Sequence, residues 1–367
     1  MSALAEVLQA NPSLWLAIGG GVIGLLFGYL IYRTNFCTMG SVSDFVNFGD
    51  WRRFRAWILA AAVALAGTQA LALSGSIPLS KTMYLTPSFN WFGYVVGGLM
   101  FGFGMVFAGG CASRNLARVG GGDLRALVTL IVMGMFGYMA IGGIIGPVRN
   151  WIEQLTSVPL GGLGVKSQGL GDILGSVSGL GAHSGSIVVA AILLVGALIY
   201  CFKSEEFRSS PVHVFSGIGV GVLVVAGWLL TGLAYDELAE RTTSPISLTY
   251  VRPTGDTLEW LQRFTAGMMP GFGVATVLGA LLGAFIAAIS MGRFKVTTFA
   301  TPSETVRTLF GAALMGVGGV MALGCTVGQS ITGVSTLALG SFITFAAIVI
   351  GGVKGMKVLE NMLMNEV

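Results

Sequence analysis

Charged residues are scarce in this sequence. Only 10% of its 367 residues are Asp, Glu, Lys or Arg, whereas a soluble globular domain carries about 25%. No basic stretch with interleaved aromatic residues occurs, which excludes the usual nucleic-acid-binding surface. The sequence has only two histidines and four cysteines, and no two cysteines form a Cys-x-x-Cys pair. This argues against a structural zinc site and a secreted disulfide framework. No Walker motif is present, so we do not expect the chain to hydrolyse ATP. We also expect that it is not an enzyme and that it holds no metal or cofactor.

What remains is largely apolar: 54% of the residues are hydrophobic. A membrane-spanning helix needs about 20 mostly apolar residues. With the N-terminus outside, most of the 20 Lys and Arg residues fall on the cytoplasmic side, as the positive-inside rule requires. The sequence therefore predicts a single all-α membrane domain over 1–367, with about nine transmembrane helices and a cytoplasmic C-terminus. The candidate spans are roughly 14–32, 56–74, 91–108, 126–146, 185–202, 212–233, 265–290, 308–323 and 338–353, of which the last two are the shortest.

Three of the four cysteines end apolar runs. Cys37 stands in Asn-Phe-Cys-Thr-Met-Gly, Cys111 in Gly-Gly-Cys-Ala-Ser-Arg-Asn, and Cys325 in Gly-Cys-Thr-Val-Gly-Gln-Ser. A lone cysteine in a membrane helix is usually a small apolar filler, and Cys201, with no glycine break beside it, is expected to be one. Three thiols in matching settings instead favour a path of weak, soft contacts, which suits a transported sulfur-bearing anion.

The segments around these cysteines, 33–50, 109–125 and 324–336, are too polar to face lipid. Non-helical backbone at membrane depth must be buried in protein or line a wet cavity, so these segments predict re-entrant half-helices. The N-terminus of such a helix presents unpaired N–H groups to an anion. Gly110 and Gly324 would let the backbone turn sharply and approach the ligand.

Polar residues after the cysteines have two interpretations each. Asn115 and Gln329, each four residues after a cysteine, either contact the substrate or hydrogen-bond between helices. Arg114 and Arg118 either neutralise an anion at the inner exit or anchor the segment at the cytoplasmic surface. Asp44 is an acid at membrane depth that either has a functional role or pairs with a neighbouring arginine, Arg52, Arg53 or Arg55.

An internal repeat is visible around two of the cysteines. Leu-Met-Phe-Gly-Phe-Gly-Met-Val-Phe-Ala-Gly-Gly precedes Cys111, and Leu-Met-Gly-Val-Gly-Gly-Val-Met-Ala-Leu-Gly precedes Cys325. By the span count, the first segment enters from the cytoplasm and the second from outside. This is the arrangement of an inverted repeat, a common transporter architecture. We expect pseudo-repeat halves at about 14–146 and 185–355.

The three cysteine motifs resemble those of the YeeE/YedE family of sulfur-compound transporters. The resemblance covers most of the chain, from about residue 15 to 355, although Thr34-Asn35 stand where family members often carry Gly-Arg. It implies an hourglass-shaped inverted repeat that takes up thiosulfate across the bacterial inner membrane. It also implies S–H···S contacts from Cys37, Cys111 and Cys325, and a separate cytoplasmic sulfur-carrier partner resembling TusA or YeeD.

We therefore expect a thiosulfate transporter whose substrate-binding residues are Cys37, Cys111, Cys325, Gly110, Gly324, Asn115 and Gln329. Cys325 would meet the anion first, Cys111 would lie deeper, and Cys37 would lie toward the exit. Two rivals remain: a membrane thiol oxidoreductase, which needs two cysteines able to pair, and a channel for another small anion or a selenium compound. A structural membrane protein would not explain the glycine breaks beside the thiols.

Overall fold

The protein is built almost entirely of helices. The computed structural model describes residues 2–179, 181–237 and 244–365. A two-stranded antiparallel ribbon, β1 (Ser88–Asn90) and β2 (Ser157–Pro159), lies between helices. The α-helices are α1 Ser2–Ala10, α2 Pro12–Thr34, α3 Thr38–Phe48, α4 Arg52–Leu73, α5 Gly98–Phe107, α6 Ala112–Gly120, α7 Leu124–Ile141, α8 Gly146–Thr156, α9 Leu170–Ser178, α10 Ala182–Phe202, α11 Glu205–Arg208, α12 Pro211–Leu233, α13 Val251–Gln262, α14 Phe272–Ser290, α15 Pro302–Met321 and α16 Leu339–Asn365.

Short turns of tighter or wider helix complete the chain. Two π-helical turns, Gly93–Gly97 and Gly328–Gly333, precede α5 and α16 respectively. Single 3-10 turns lie at Leu79–Lys81, Leu160–Leu163 and Phe264–Ala266. Wide π turns are often found at functional sites in membrane and soluble proteins, and the second of these follows Cys325 closely.

The predicted all-α membrane fold is confirmed. Within the described ranges, eight helical segments are long and apolar enough to cross a membrane. Helix α15, with 20 residues, is a further long helix whose first turns carry Glu304 and Arg307. The eight segments are Pro12–Phe48, Arg52–Leu73, Gly93–Gly120, Leu124–Ile141, Ala182–Phe202, Pro211–Leu233, Phe272–Ser290 and Leu339–Asn365.

The predicted bounds are wrong at the C-terminal spans. Helix α16 has 27 residues and is longer than any other α-helix among the described residues, although its apolar core had predicted a short span at 338–353. The helix continues through Lys354 and Lys357, which an apolar run cannot include. Helix α14 begins at Phe272 and not near 265, because a 3-10 turn and extended residues precede it.

Each of the main long helices in the first half of the chain packs on a long helix from the second half. Helix α2 packs on α14, and α4 packs on α12. In the same way, α5 packs on α16, and α7 packs on α15. Contacts between helices far apart in sequence therefore hold the bundle together and bring the three cysteine segments into one interior.

Small residues let α2 and α14 approach to backbone contact. A Cβ on Gly28 would overlap the carbonyl of Ala280, and a Cβ on Gly283 would overlap the carbonyl of Leu25. Such small-residue faces are typical of helix pairs in membranes, where packing replaces the hydrophobic effect as the main force between helices.

The segment between the predicted spans 126–146 and 185–202 contains two helices, α8 and α9. Helix α8 exposes large apolar side chains, among them Val148, Trp151 and Leu155, as an interfacial helix does. Helix α9 begins where Leu170 N donates to Leu337 O at 2.9 Å, and Leu339 N donates to Gln168 O at 3.0 Å. The segment is thereby tied to the chain between the Cys325 region and α16.

Candidate functional site

Each of the three singled-out cysteines directly precedes a short helix. Cys37 is the N-cap of α3 and Cys111 the N-cap of α6, while Cys325 precedes a helical turn that widens at Gly328. The three side chains are buried, with 5%, 0% and 0% exposure. A short helix therefore follows each cysteine, and each of these helices begins at a buried thiol.

At Cys37 and Cys325 a backbone N–H of the following helix donates to the sulfur. Gly40 N donates to Cys37 Sγ at 3.4 Å, and Gly328 N donates to Cys325 Sγ at 3.4 Å. Cys111 lacks such a cap bond, and its sulfur lies 3.3 Å from Ser113 Oγ. At Cys37 and Cys325 the sulfur accepts from the N–H three residues on, as an N-cap oxygen normally does, so the thiol proton stays available to donate to another group.

The three thiols form one cluster. Cys111 interacts with Cys37 through their side chains and lies within electrostatic range of Cys325. Cys111 Sγ is 3.3 Å from Ser113 Oγ. Thr326, the residue after Cys325, lies near Cys111. Cys111 is therefore the middle member of the cluster, close to both of the other segments.

Asn115 and Gln329 use their amides to hold the loops before the helices. Asn115 Nδ2 donates to Gly110 O at 2.8 Å and to Cys111 O at 3.3 Å. Gln329 Nε2 donates to Ala322 O, and its Oε1 accepts from Ser341 Oγ at 2.6 Å. Both amides bind protein groups, so their geometry supports the alternative in which they hydrogen-bond within the fold.

Gly110 has a backbone conformation that residues with a side chain rarely adopt. Its φ is +151°, and a Cβ there would lie 2.8 Å from Arg114 Cγ. On the opposite segment Leu323 adopts φ +58° before Gly324. The chain therefore makes a sharp reversal immediately before Cys111 and before Cys325.

The structure separates the two arginines that follow Cys111. Arg118 Nη1 donates to Gly109 O at 2.8 Å and to Asn115 Oδ1 at 3.1 Å, and Nη2 forms an ion pair with Asp123 at 2.8 Å. Arg114 is half-buried, lies within electrostatic range of Cys37, and has no ion pair within the described part of the chain. Arg118 thus anchors the loop, whereas Arg114 presents an unneutralised charge beside the thiols.

Three other residues that could have had a functional role, Cys201, Asp44 and His213, bond to neighbouring protein groups. Cys201 Sγ donates to Arg55 O at 3.3 Å, as expected for a packed thiol. Asp44 forms an ion pair with Arg53 at 3.1 Å, which is the pairing alternative. His213 Nδ1 lies 2.6 Å from Ser210 Oγ. No group of three or more metal-ligating side chains occurs in the residues that the structure describes.

Asn35 ends α2 in a left-handed conformation that sequence reasoning missed. Its φ is +55°, a region that glycine and asparagine adopt at the lowest cost. The Thr34-Asn35 pair therefore still makes the turn that leads into Cys37. The signal was present in the sequence, because asparagine is the usual alternative to glycine after a helix.

A cavity of about 200 Å³ lies beside the Cys325 segment, on the side predicted to be outer. Thr249 and Gly324 line it, and Thr249 Oγ1 lies 3.9 Å from Cys325 Sγ. Arg149 and Arg252 line it as well. Arg149 forms an ion pair with Glu153 at 2.7 Å, and Arg252 forms a longer ion pair with Asp256 at 3.7 Å.

Residues 33–354 match the family model described as sulphur transport. The chain belongs to the sulphur-transport family. The thiosulfate transporter TsuA of Spirochaeta thermophila is 28% identical over 340 residues, which cover 90% of this chain and 96% of that protein. TsuA of Escherichia coli is 26% identical, covering 91% of this chain and 92% of its own length. The probable transporter YedE of Escherichia coli is 30% identical over 136 residues, covering 37% of this chain and 29% of its own length.

Membership in the sulphur-transport family confirms the resemblance seen in the cysteine motifs. The match extends from just before Cys37 to beyond Cys325, so all three cysteine segments lie within the part of the chain that defines the family. The thiol cluster is accordingly the candidate path of a sulfur compound across the membrane.

Proposed function

We propose that this chain carries thiosulfate, or a similar sulfur-containing anion, inward across the bacterial inner membrane. The anion would meet Cys325, then Cys111, then Cys37. The observation that carries the proposal is the clustering of three buried thiols, each at the start of a short helix, in a chain of the sulphur-transport family. The names of the two full-length relatives support thiosulfate as the substrate.

The chemistry of the cluster suits passage better than capture. A thiol is a weak hydrogen-bond donor and a weak acceptor, so each contact with the anion is easily broken. The ends of three short helices add positive dipole character without a fixed counter-charge. A conducting site must bind well enough to admit an ion and loosely enough to release it, and this combination meets both requirements.

Roles for the remaining site residues follow from their contacts. Gly110 and Gly324 would bring backbone close to the passing anion at the two reversals. Asn115 and Gln329 would keep those reversals in shape, since both donate to backbone carbonyls there. Arg114 would attract the anion from Cys111 toward Cys37.

We also propose that the two halves of the chain, about 14–146 and 185–355, form an inverted repeat. In this repeat α2, α4, α5 and α7 of the first half correspond to α12, α14, α15 and α16 of the second. The packing of α2 on α14 then has its counterpart in α12 on α4, and the packing of α5 on α16 has its counterpart in α15 on α7. The short helices α3 and α13 pack on α4 and α14 respectively. In this correspondence Tyr250, the N-cap of α13, takes the position that Cys37 has before α3.

The orientation and partner belong to the same proposal. Positive charge in the loops favours an outer N-terminus and a cytoplasmic C-terminus. A small sulfur carrier resembling TusA or YeeD would receive the anion at the cytoplasmic exit. An open groove of about 700 Å³ lies at that end between α3 and α16, lined by Met39, Asn47 and Met356 among others.

Transport is favoured over thiol oxidoreduction. The contact between Cys37 and Cys111 is a feature that a redox pair would share, but the relatives that match along the whole chain are named transporters. All four cysteines are free thiols in the structure. Transport without net thiol oxidation is therefore the proposed activity.

The test is uptake of labelled thiosulfate in cells that lack another thiosulfate uptake route. Cys111→Ala and Cys325→Ala should abolish uptake at unchanged amounts of membrane protein, and Cys37→Ala should reduce it. Cys201→Ala is the matched control, because that thiol is also fully buried but bonds to a backbone carbonyl. Wild-type uptake by the first two variants would reject the thiol path, and sulfate and selenite as competitors define the substrate range.

A further inference from the structure

Two buried tyrosines near Cys325 have hydroxyl groups without a hydrogen-bond partner in the described part of the chain. Tyr84 is 2% exposed and Tyr250 is 0% exposed. The great majority of buried side-chain polar atoms in proteins are hydrogen-bonded, and a buried hydroxyl left unpaired carries a full desolvation cost. Two such phenols beside one thiol therefore require a polar group that the protein itself does not provide.

Both tyrosines are placed around Cys325. Thr249, which precedes Tyr250, has its Oγ1 3.9 Å from Cys325 Sγ, and both phenol groups lie within electrostatic range of that thiol. They reach it from different segments: Tyr250 precedes α13, whereas Tyr84 lies between α4 and β1. Their convergence on one sulfur is a property of the fold and not of sequence proximity.

Aromatic neighbours fix the orientation of both rings. Tyr250 stacks on Phe27 with ring centroids 5.1 Å apart. Tyr84 meets Trp228 edge to face at 6.3 Å, and Trp228 is itself held by a 3.0 Å hydrogen bond from Nε1 to Ser335 Oγ. Rigid supports of this kind preorganise hydrogen-bond donors for a ligand.

Sequence neighbours of both tyrosines line the outer cavity. Met83, the neighbour of Tyr84, lines it, as do Thr249 and Val251 on either side of Tyr250. Gly324, next to Cys325, lines the same cavity. A ligand that enters from the outer side therefore reaches the segments that carry the two phenols and the thiol.

An anion such as thiosulfate has two chemically different ends. Its sulfonate oxygens accept strong O–H hydrogen bonds, whereas its terminal sulfur suits the weak S–H donor of a thiol. We propose that Tyr84 and Tyr250 donate their phenol O–H groups to the oxygens of a sulfonate-bearing anion while Cys325 contacts its terminal sulfur. This assignment rests on the proposed function and adds the outer binding site and its specificity-determining residues.

The site explains a difference between the two halves of the chain. At the N-cap position before α3 the protein has a thiol, and at the position before α13 it has a phenol. The outer site would thus combine one thiol with two hydroxyl donors, so that it selects an anion with both a sulfur end and an oxygen end. The inner site has two thiols, Cys37 and Cys111, which would contact the terminal sulfur of the anion as it passes from one to the other.

The test compares Tyr84→Phe, Tyr250→Phe and the double variant with the wild-type protein. Each change removes one oxygen atom and keeps the ring. Purified protein is melted with and without sodium thiosulfate, with sodium chloride at equal ionic strength as reference, and uptake is measured against concentration. We expect unchanged or raised melting without ligand, a smaller melting shift with thiosulfate, and a KM raised about tenfold per phenol, as for a lost hydrogen bond to a charged group.

Tyr94→Phe is the matched control. Tyr94 is equally buried at 2% exposure, but its hydroxyl accepts from Gln168 Nε2 at 2.7 Å. This variant should melt at lower temperature without ligand and keep the wild-type shift with thiosulfate. In the ligand-free protein, loss of an unpaired phenol hydroxyl should not lower the melting temperature, whereas loss of a paired one should lower it.

The assignment is overturned if Tyr84→Phe and Tyr250→Phe melt lower than wild type yet keep its thiosulfate shift and KM, because the phenols then serve only the fold. A wild-type protein with neither uptake of thiosulfate nor a melting shift would contradict the proposed function, and the phenol site with it.

Discussion

Replacement of Gly110 by alanine tests the backbone reversal before Cys111. Gly110 has a φ of +151°, and a Cβ built there would lie 2.8 Å from Arg114 Cγ and 3.1 Å from Arg114 Cβ. A non-glycine residue in this region of φ costs about 1–3 kcal/mol. The contact adds to that cost, because atoms that close force the arginine or the loop to move.

The expected effect follows from these two terms. If the strained loop conformation loses about 1–3 kcal/mol, its population relative to relaxed alternatives falls about fivefold to more than a hundredfold. The relaxed loop would turn the Cys111 thiol and the N–H of Arg114 away from the path. We therefore expect Gly110→Ala to reduce uptake of thiosulfate at least about fivefold at equal amounts of membrane protein.

Gly75→Ala is the control for the backbone term alone. Gly75 has a φ of +70° and nothing within 4 Å of a built Cβ, and it lies after α4, outside the site. It should lose some stability and keep its uptake per folded molecule. Wild-type uptake by Gly110→Ala would show that the reversal before Cys111 does not shape the path.

Further predictions concern charge. Arg252→Gln should raise the KM for thiosulfate severalfold at low ionic strength, because this guanidinium lines the outer cavity. Arg263→Gln, at the C-cap of the same helix, should leave the KM unchanged; the two side chains are 69% and 68% exposed, and equal KM values for the two variants would show that Arg252 has no role in entry. Arg114→Gln should slow uptake without loss of protein, and unchanged rates would return Arg114 to an anchoring role. Burial alone would raise the pKa of Asp123, but hydrogen bonds from Arg125 and Arg118 hold it at about 2. Because that pKa is depressed, its stabilisation should be lost as pH falls from about 4 toward 2; Asp123→Asn should lack that part of the pH dependence of melting.

The fold was predictable where apolar length decides it. Helices α4, α10 and α12 begin and end within a few residues of their predicted bounds, because their ends coincide with the ends of apolar runs. Helix α16 was missed in length because Lys354 and Lys357 continue it beyond the apolar core. Hydropathy measures what lipid tolerates, and a helix extends as far as its backbone hydrogen bonds do.

The candidate site was predictable where glycine, cysteine and a helix start coincide. That pattern found Cys37, Cys111 and Cys325, and it excluded Cys201. The tyrosines were not predictable in this way. Tyr84 and Tyr250 lie in segments without a glycine break, and only the tertiary structure brings them to Cys325. Likewise, the sequence left Arg114 and Arg118 equivalent, and the 2.8 Å ion pair with Asp123 distinguishes them.

The central claim is that an intact sulfur anion passes along the thiols. It is tested most directly with purified protein in proteoliposomes and thiosulfate labelled separately on its outer or inner sulfur. The account predicts equal rates of entry for both labels in wild-type protein and no entry of either in Cys111→Ala. Entry of one label alone, or wild-type rates in Cys111→Ala, would contradict it.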